Sequence, residues 1–134
     1  MPITITPLYA ALLTLLMIAL SVRVVLYRRA KMISVGDSDD KALLKRIRAQ
    51  GNCVEYAPVG LILLLIAELQ GAPGIALHAI GLILLAGRLM HAIGFSRTPQ
   101  IIPLRVAGMA LTYAALLLGA LGIMAHGLIR NPSF

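Results

Sequence analysis

Arg48, Asn52, Glu55 and Tyr56 fall within an arc of roughly 100° when the stretch is wound as a helix at about 100° per residue. Arg88, His91 and Phe95, spaced i, i+3 and i+7, make a second stripe, and Arg105 follows Pro99 and Pro103 near the opening of a later helix. Three arginines here outnumber one acid, so the surplus positive charge calls for an anion. Arg105 adds to this, because a cation in the first turn of a helix opposes the macrodipole unless a negative ligand or the headgroup layer is present.

The medium around these groups raises the stakes. The chain has 134 residues, 60% of them hydrophobic and 13% charged, with mean hydropathy +0.92. Residues 1–22, 56–67, 69–87 and 106–129 carry no formal charge, and 49–67 is broken only by Glu55. A membrane helix needs about 20 apolar residues. The pattern therefore predicts an all-α, multi-pass membrane protein, a single domain over 1–134 with four transmembrane helices near 5–29, 39–70, 73–95 and 101–128. No basic residue precedes the first run and no A-x-A-like cleavage site follows it, which argues against a signal peptide. The single Cys53 excludes an intramolecular disulfide or a cysteine metal cluster, and no other spacing suggests a metal site.

The net charge of +7 reads as a basic membrane face rather than a nucleic-acid surface. Eight Lys and Arg residues between Arg23 and Arg48 surround the first connection, and Arg88, Arg97 and Arg105 surround the third. By the positive-inside rule both connections are cytoplasmic and both termini lie outside. The second connection, Gln70 to Pro73, becomes a tight outer turn. Asp37, Ser38, Asp39 and Asp40 mark the start of the second helix, and Tyr9 and Tyr27 bracket the first as interfacial anchors.

Depth arithmetic brings the polar groups to one level. Glu55 lies 15 residues before Gln70 and Arg88 lies 15 after Pro73, so each is roughly 22 Å from the same turn. His91, Asn52 and Arg48 lie nearer the cytoplasm. A charge inside lipid costs about 2.5–3.5 kcal/mol on insertion scales, so these groups need partners or a function. A bare Glu55–Arg88 pair fixing two helices is one answer; it leaves the surplus arginines unexplained.

The run Arg48-Ala49-Gln50-Gly51-Asn52-Cys53-Val54-Glu55-Tyr56-Ala57-Pro58 resembles the R-x-Q-x-N-x-x-E-Y-x-P signature of the MAPEG family, membrane-associated proteins of eicosanoid and glutathione metabolism. Gly87 to Gly94 is similar to that family's motif on the third helix, and Leu104 to Met109 to the start of its fourth. The short loops look most like the small bacterial inner-membrane branch. The resemblance implies a homotrimer of four-helix subunits with glutathione as co-substrate, held between neighbours near the cytoplasmic face. It implies glutathione-binding roles for Arg48, Asn52, Glu55 and Tyr56, for Arg28 or Arg29, and for Arg88 and His91. Arg105 corresponds to the catalytic arginine that stabilises the thiolate. Phe95 stands where many catalytic members have tyrosine, and the nearest tyrosine after Arg105 is Tyr113, about 12 Å further along the axis.

The residue types suit that chemistry. Arginine forks clamp carboxylates, a carboxylate accepts an ammonium, and a guanidinium in a poorly hydrated site favours thiolate over thiol. A thiolate so formed attacks a lipophilic electrophile or hydroperoxide arriving through the bilayer. The expected partners are a second copy of the chain, membrane lipid and a lipophilic small molecule, with no nucleic acid. The alternative is a non-catalytic membrane protein whose Lys31, Lys41, Lys45 and Arg46 grip anionic lipid or another anionic ligand. Cys53 reads as inert packing, Glu68 as an outer-interface residue, and Tyr113 as a packing residue with its hydroxyl satisfied across helices. Ala115 with Gly119, and Gly108 with Thr112, form small-xxx-small pairs suited to close helix contact.

Overall fold

The computed structural model describes residues 3–130. Its elements are α1 (Thr6–Lys31), α2 (Lys41–Leu69), α3 (Gly74–Ser96) and α4 (Ile102–Arg130). Each contains a stretch long and apolar enough to cross a membrane. Among the described residues there is no strand. The protein is a four-helix membrane bundle, with large apolar side chains such as Leu15, Ile62, Leu82 and Leu117 facing outward on every helix. An outward apolar surface is what lipid accepts, because the backbone polar groups are satisfied within each helix.

The helix ends follow local chemistry. Asp40 caps α2, its carboxylate accepting from the Ala42 and Leu43 N–H groups at 2.8 and 3.0 Å. Those bonds, the Leu43 N–H foremost, hold the Asp40 carboxyl below its ordinary range, and the Tyr27 hydroxyl adds a third. The connection between α2 and α3 turns at Gly71, whose φ of 80° falls in the left-handed region that glycine enters without a Cβ penalty.

At the Gln70–Pro73 end two side chains expected at an interface turn inward. Glu68 is buried, and its carboxylate accepts the N–H groups of Thr4, Ile5 and Thr6 at 2.7, 2.8 and 2.7 Å. The first amides of a helix have no partner within it, and α1 has no side-chain cap of its own, so an acid from α2 fills that place. Tyr9 is not an interfacial anchor. It is 2% exposed, its ring occupies the space beside Gly81, and its hydroxyl bonds His78.

The tightest packing joins α3 to α4 and sets the site. A Cβ on Gly87 would stand 2.7 Å from Thr112 Oγ1 and 2.8 Å from the Gly108 carbonyl oxygen. A Cβ on Gly94 would stand 2.7 Å from the Arg105 nitrogen, and one on Gly108 would run into the His91 backbone. These glycines let the two backbones approach closely and bring Arg88 and His91 against the first three turns of α4.

Candidate functional site

Arg88 is 1% exposed and lies where α2, α3 and α4 meet. Its Nε donates to Thr112 Oγ1 at 2.9 Å, while the Thr112 hydroxyl donates onward to the Gly108 carbonyl at 2.8 Å. Nη1 donates to Asn52 Oδ1 at 2.6 Å and to the Asn52 carbonyl at 3.2 Å, and Nη2 reaches Met109 Sδ at 3.1 Å. The Tyr56 ring centroid lies 5.4 Å from the guanidinium carbon. Pro58 frees the Val54 carbonyl from its helical donor, yet the α2 carbonyl that Arg88 uses is that of Asn52.

Every one of these partners is neutral. Among the described residues, none of the hydrogen bonds from Arg88 goes to a carboxylate. Neutral dipoles satisfy its donors but leave the charge itself uncompensated, a costly arrangement in a low-dielectric interior. The simple Glu55–Arg88 pair is therefore not formed within the chain. Glu55 is exposed on α2, as is Arg48.

Arg105 stands near the start of α4, on the α3–α4 connection side of this centre. Its Nη1 donates to Gln100 Oε1 at 3.2 Å, and its guanidinium carbon lies 4.3 Å from the Phe95 ring centroid. Phe95, the departure from the family's tyrosine, thus offers Arg105 an aromatic face. Arg105 also lines a shallow recess of about 510 Å³ with Ile102, Val106, Met109, Ala110 and Tyr113. Met109 joins the two arginines, since it borders the recess and holds Arg88. Tyr113 is half exposed, with its hydroxyl 3.2 Å from that of Tyr56 and the two rings edge to face at 5.6 Å.

The structure brings Asn52, Tyr56 and Arg88 into direct contact and places Arg105 beside them through Met109. His91 is buried, its ring tilted against Phe95 at 5.6 Å. Arg28 and Arg29 lie apart, at the end of α1; Arg28 Nη1 donates to the Gly36 carbonyl at 2.7 Å. Arg23, also on α1, ties that helix to the end of α3 through Ser96 Oγ at 2.8 Å. Thr112 and Met109, which the sequence marks only as a close-contact residue and as part of the fourth-helix motif, join the site as partners of Arg88, and Gln100 joins it with no sequence signal. The one signal for Thr112 was its place four residues after Gly108.

A recess of about 450 Å³ at the opposite end, bordered by Gln70, Pro73 and His126, has no Lys, Arg, Asp or Glu in its lining. At that end the buried charge among the described residues is Glu68, which is spent on the α1 amides, whereas the buried arginine lies toward the other end.

A four-helix integral membrane protein with a buried arginine centre is the class that fold and site define. The chain belongs to the MAPEG family, whose sequence profile matches residues 6–125. It is similar to the inner membrane protein YecN of Escherichia coli strain K12, 40% identical over 114 residues that cover 85% of this chain and 86% of the relative. The YecN protein of Escherichia coli O6:H1 matches to the same extent.

Proposed function

We propose that this protein is a glutathione-binding membrane transferase or peroxidase, working as a homotrimer. The observation that carries the reading is Arg88, a buried guanidinium held only by neutral groups beside a second arginine at an open recess. Such a centre has room for one negative charge. The tripeptide's thiolate supplies it, with Arg105 lowering the cost of ionisation at the sulfur. Arg48, with Arg28 or Arg29, clamps the carboxylates; Glu55 accepts the ammonium; Asn52, Tyr56 and His91 complete the polar wall.

The homotrimer is supported by Glu55 and Arg48, which are exposed on a helix otherwise suited to lipid. An ionised carboxylate facing hydrocarbon is unfavourable, whereas a neighbouring copy covers it and supplies basic groups from its own α1. Relatives named as inner membrane proteins support that location, and the basic first and third connections support a cytoplasmic site with both termini outside.

The test is to add glutathione to the protein in lipid nanodiscs and follow thiolate ultraviolet absorbance and thermal unfolding. A thiolate band together with a raised unfolding midpoint is the expected result. Neither signal, with a shift produced by anionic lipid alone, would reject this function in favour of a non-catalytic anion-binding protein. Cross-linking in the same discs should give trimers.

A further inference from the structure

The hydroxyl of Tyr113 meets that of Tyr56 across α2 and α4 at 3.2 Å, as expected from the sequence, but the residue is 52% exposed rather than packed and lines the same recess as Arg105. Each phenol carries a single proton. Whichever hydroxyl donates within the pair, the other proton remains for a further acceptor. The Arg88 guanidinium lies 5.4 Å from the Tyr56 ring and polarises that phenol toward donating. With Tyr56 as the donor, Tyr113 accepts and its own proton is left to face the recess.

We propose that Tyr56 and Tyr113 form a hydrogen-bond relay from Arg88, in which Tyr113 supplies the hydroxyl that holds the sulfur of a bound thiolate. This rests on the glutathione reading above and adds to it a residue two turns beyond Arg105. Met109 lies midway: a sulfur at its level is about 6 Å along the axis from both Arg105 and Tyr113, within reach of both side chains. The relay provides a hydroxyl that neither Phe95 nor the first turn after Arg105 contains.

The test is a pH titration of thiolate absorbance for glutathione bound to the wild type, Tyr113→Phe, Tyr56→Phe and the double variant, all in nanodiscs. Tyr113→Phe should lower the thiolate-to-thiol ratio about tenfold at a given pH, the strength of one charge-assisted bond. Its unfolding midpoint should stay at the wild-type value, because the ring is kept. Tyr56→Phe breaks the relay at its other end and should give a similar loss, with little more in the double variant. A bound thiol that titrates identically in wild type and Tyr113→Phe would overturn the relay while leaving glutathione binding intact, as would two single losses that add in full. A wild type that binds no thiolate would overturn the glutathione reading and the relay together, and needs no variant to detect.

Discussion

Arg88 and Asn52 meet twice, Nη1 donating to the amide oxygen at 2.6 Å and to the backbone carbonyl at 3.2 Å. A guanidinium between α3 and α2 is thereby fixed by an amide rather than by an acid. Asn52→Ala removes the shorter bond and should lower unfolding stability by about 1.5–3 kcal/mol, the range for a hydrogen bond to a charged group. Asn52→Asp should keep the fold but weaken glutathione binding, because the new carboxylate neutralises the charge a ligand would meet. Denaturant unfolding in micelles and ligand titration check the two halves separately. Tighter binding by Asn52→Asp would contradict an anion site.

The α3–α4 contact predicts unequal responses at glycines that look alike in sequence. Gly108→Ala drives a methyl group into the His91 backbone and should destabilise by about 1–3 kcal/mol, as overpacking does. Gly122→Ala, with nothing within 4 Å of the added carbon, should be neutral or slightly stabilising. Unfolding midpoints of the two variants make the comparison, and equal effects would mean that the close approach is absent.

At the Gln70–Pro73 end, Glu68→Ala strips the carboxylate from three amides at the start of α1. The expected cost is about 1–3 kcal/mol, that of leaving the buried Thr6 donor unpaired, since Thr4 and Ile5 are open to other acceptors. Hydrogen exchange at Thr4, Ile5 and Thr6 should rise well above that at the middle of α1. Exchange unchanged at those amides would show that Glu68 is not their acceptor.

Much of this was legible because lipid makes composition decisive. Four uncharged runs give four helices, and counting from the Gln70–Pro73 turn puts Glu55 and Arg88 at one level with Asn52 about a turn away, which finds the layer but not the partner. The run from Asp37 to Lys41 carries the cap of α2 in its own residues. What stayed hidden is what depends on rotation or on distant partners. Glu68 caps amides more than 60 residues away, and no local pattern announces that. Helix two's polar arc contains both Asn52 and Glu55, but only packing decides which faces Arg88. Thr112 reads as a helix-contact residue and Met109 as part of a motif, and nothing in the sequence makes either an acceptor for Arg88 until the glycines bring α4 close enough.

The α2 cap predicts a response to acid. Backbone donors hold the Asp40 carboxyl below its ordinary range, so the stabilisation is complete above the unfolded value near 4. It is lost as pH falls through the lower folded value. Exchange at Ala42 and Leu43 should therefore stay slow at neutral pH and accelerate only under strongly acidic conditions. Asp40→Ala should show the fast exchange already at neutral pH, whereas Asp40→Asn, which keeps an acceptor oxygen, should stay slow and lose the acid response. An identical acid response in Asp40→Asn would assign it to another group.

Glu55 separates a ligand role from a structural one. It is exposed, and among the described residues it forms no side-chain hydrogen bond that would hold the fold. Glu55→Gln keeps the shape and removes the charge that would receive an ammonium. If that is its role, glutathione affinity should fall by about tenfold or more, the scale of one charge-assisted bond, while helix content and trimer cross-linking stay as in the wild type. A peptide lacking the amino group should bind wild type and Glu55→Gln alike, because the lost interaction has no counterpart in that ligand. Should the variant instead dissociate into monomers with ligand affinity per folded chain unchanged, Glu55 would be an intersubunit ion-pair partner, and the ammonium would need another acceptor.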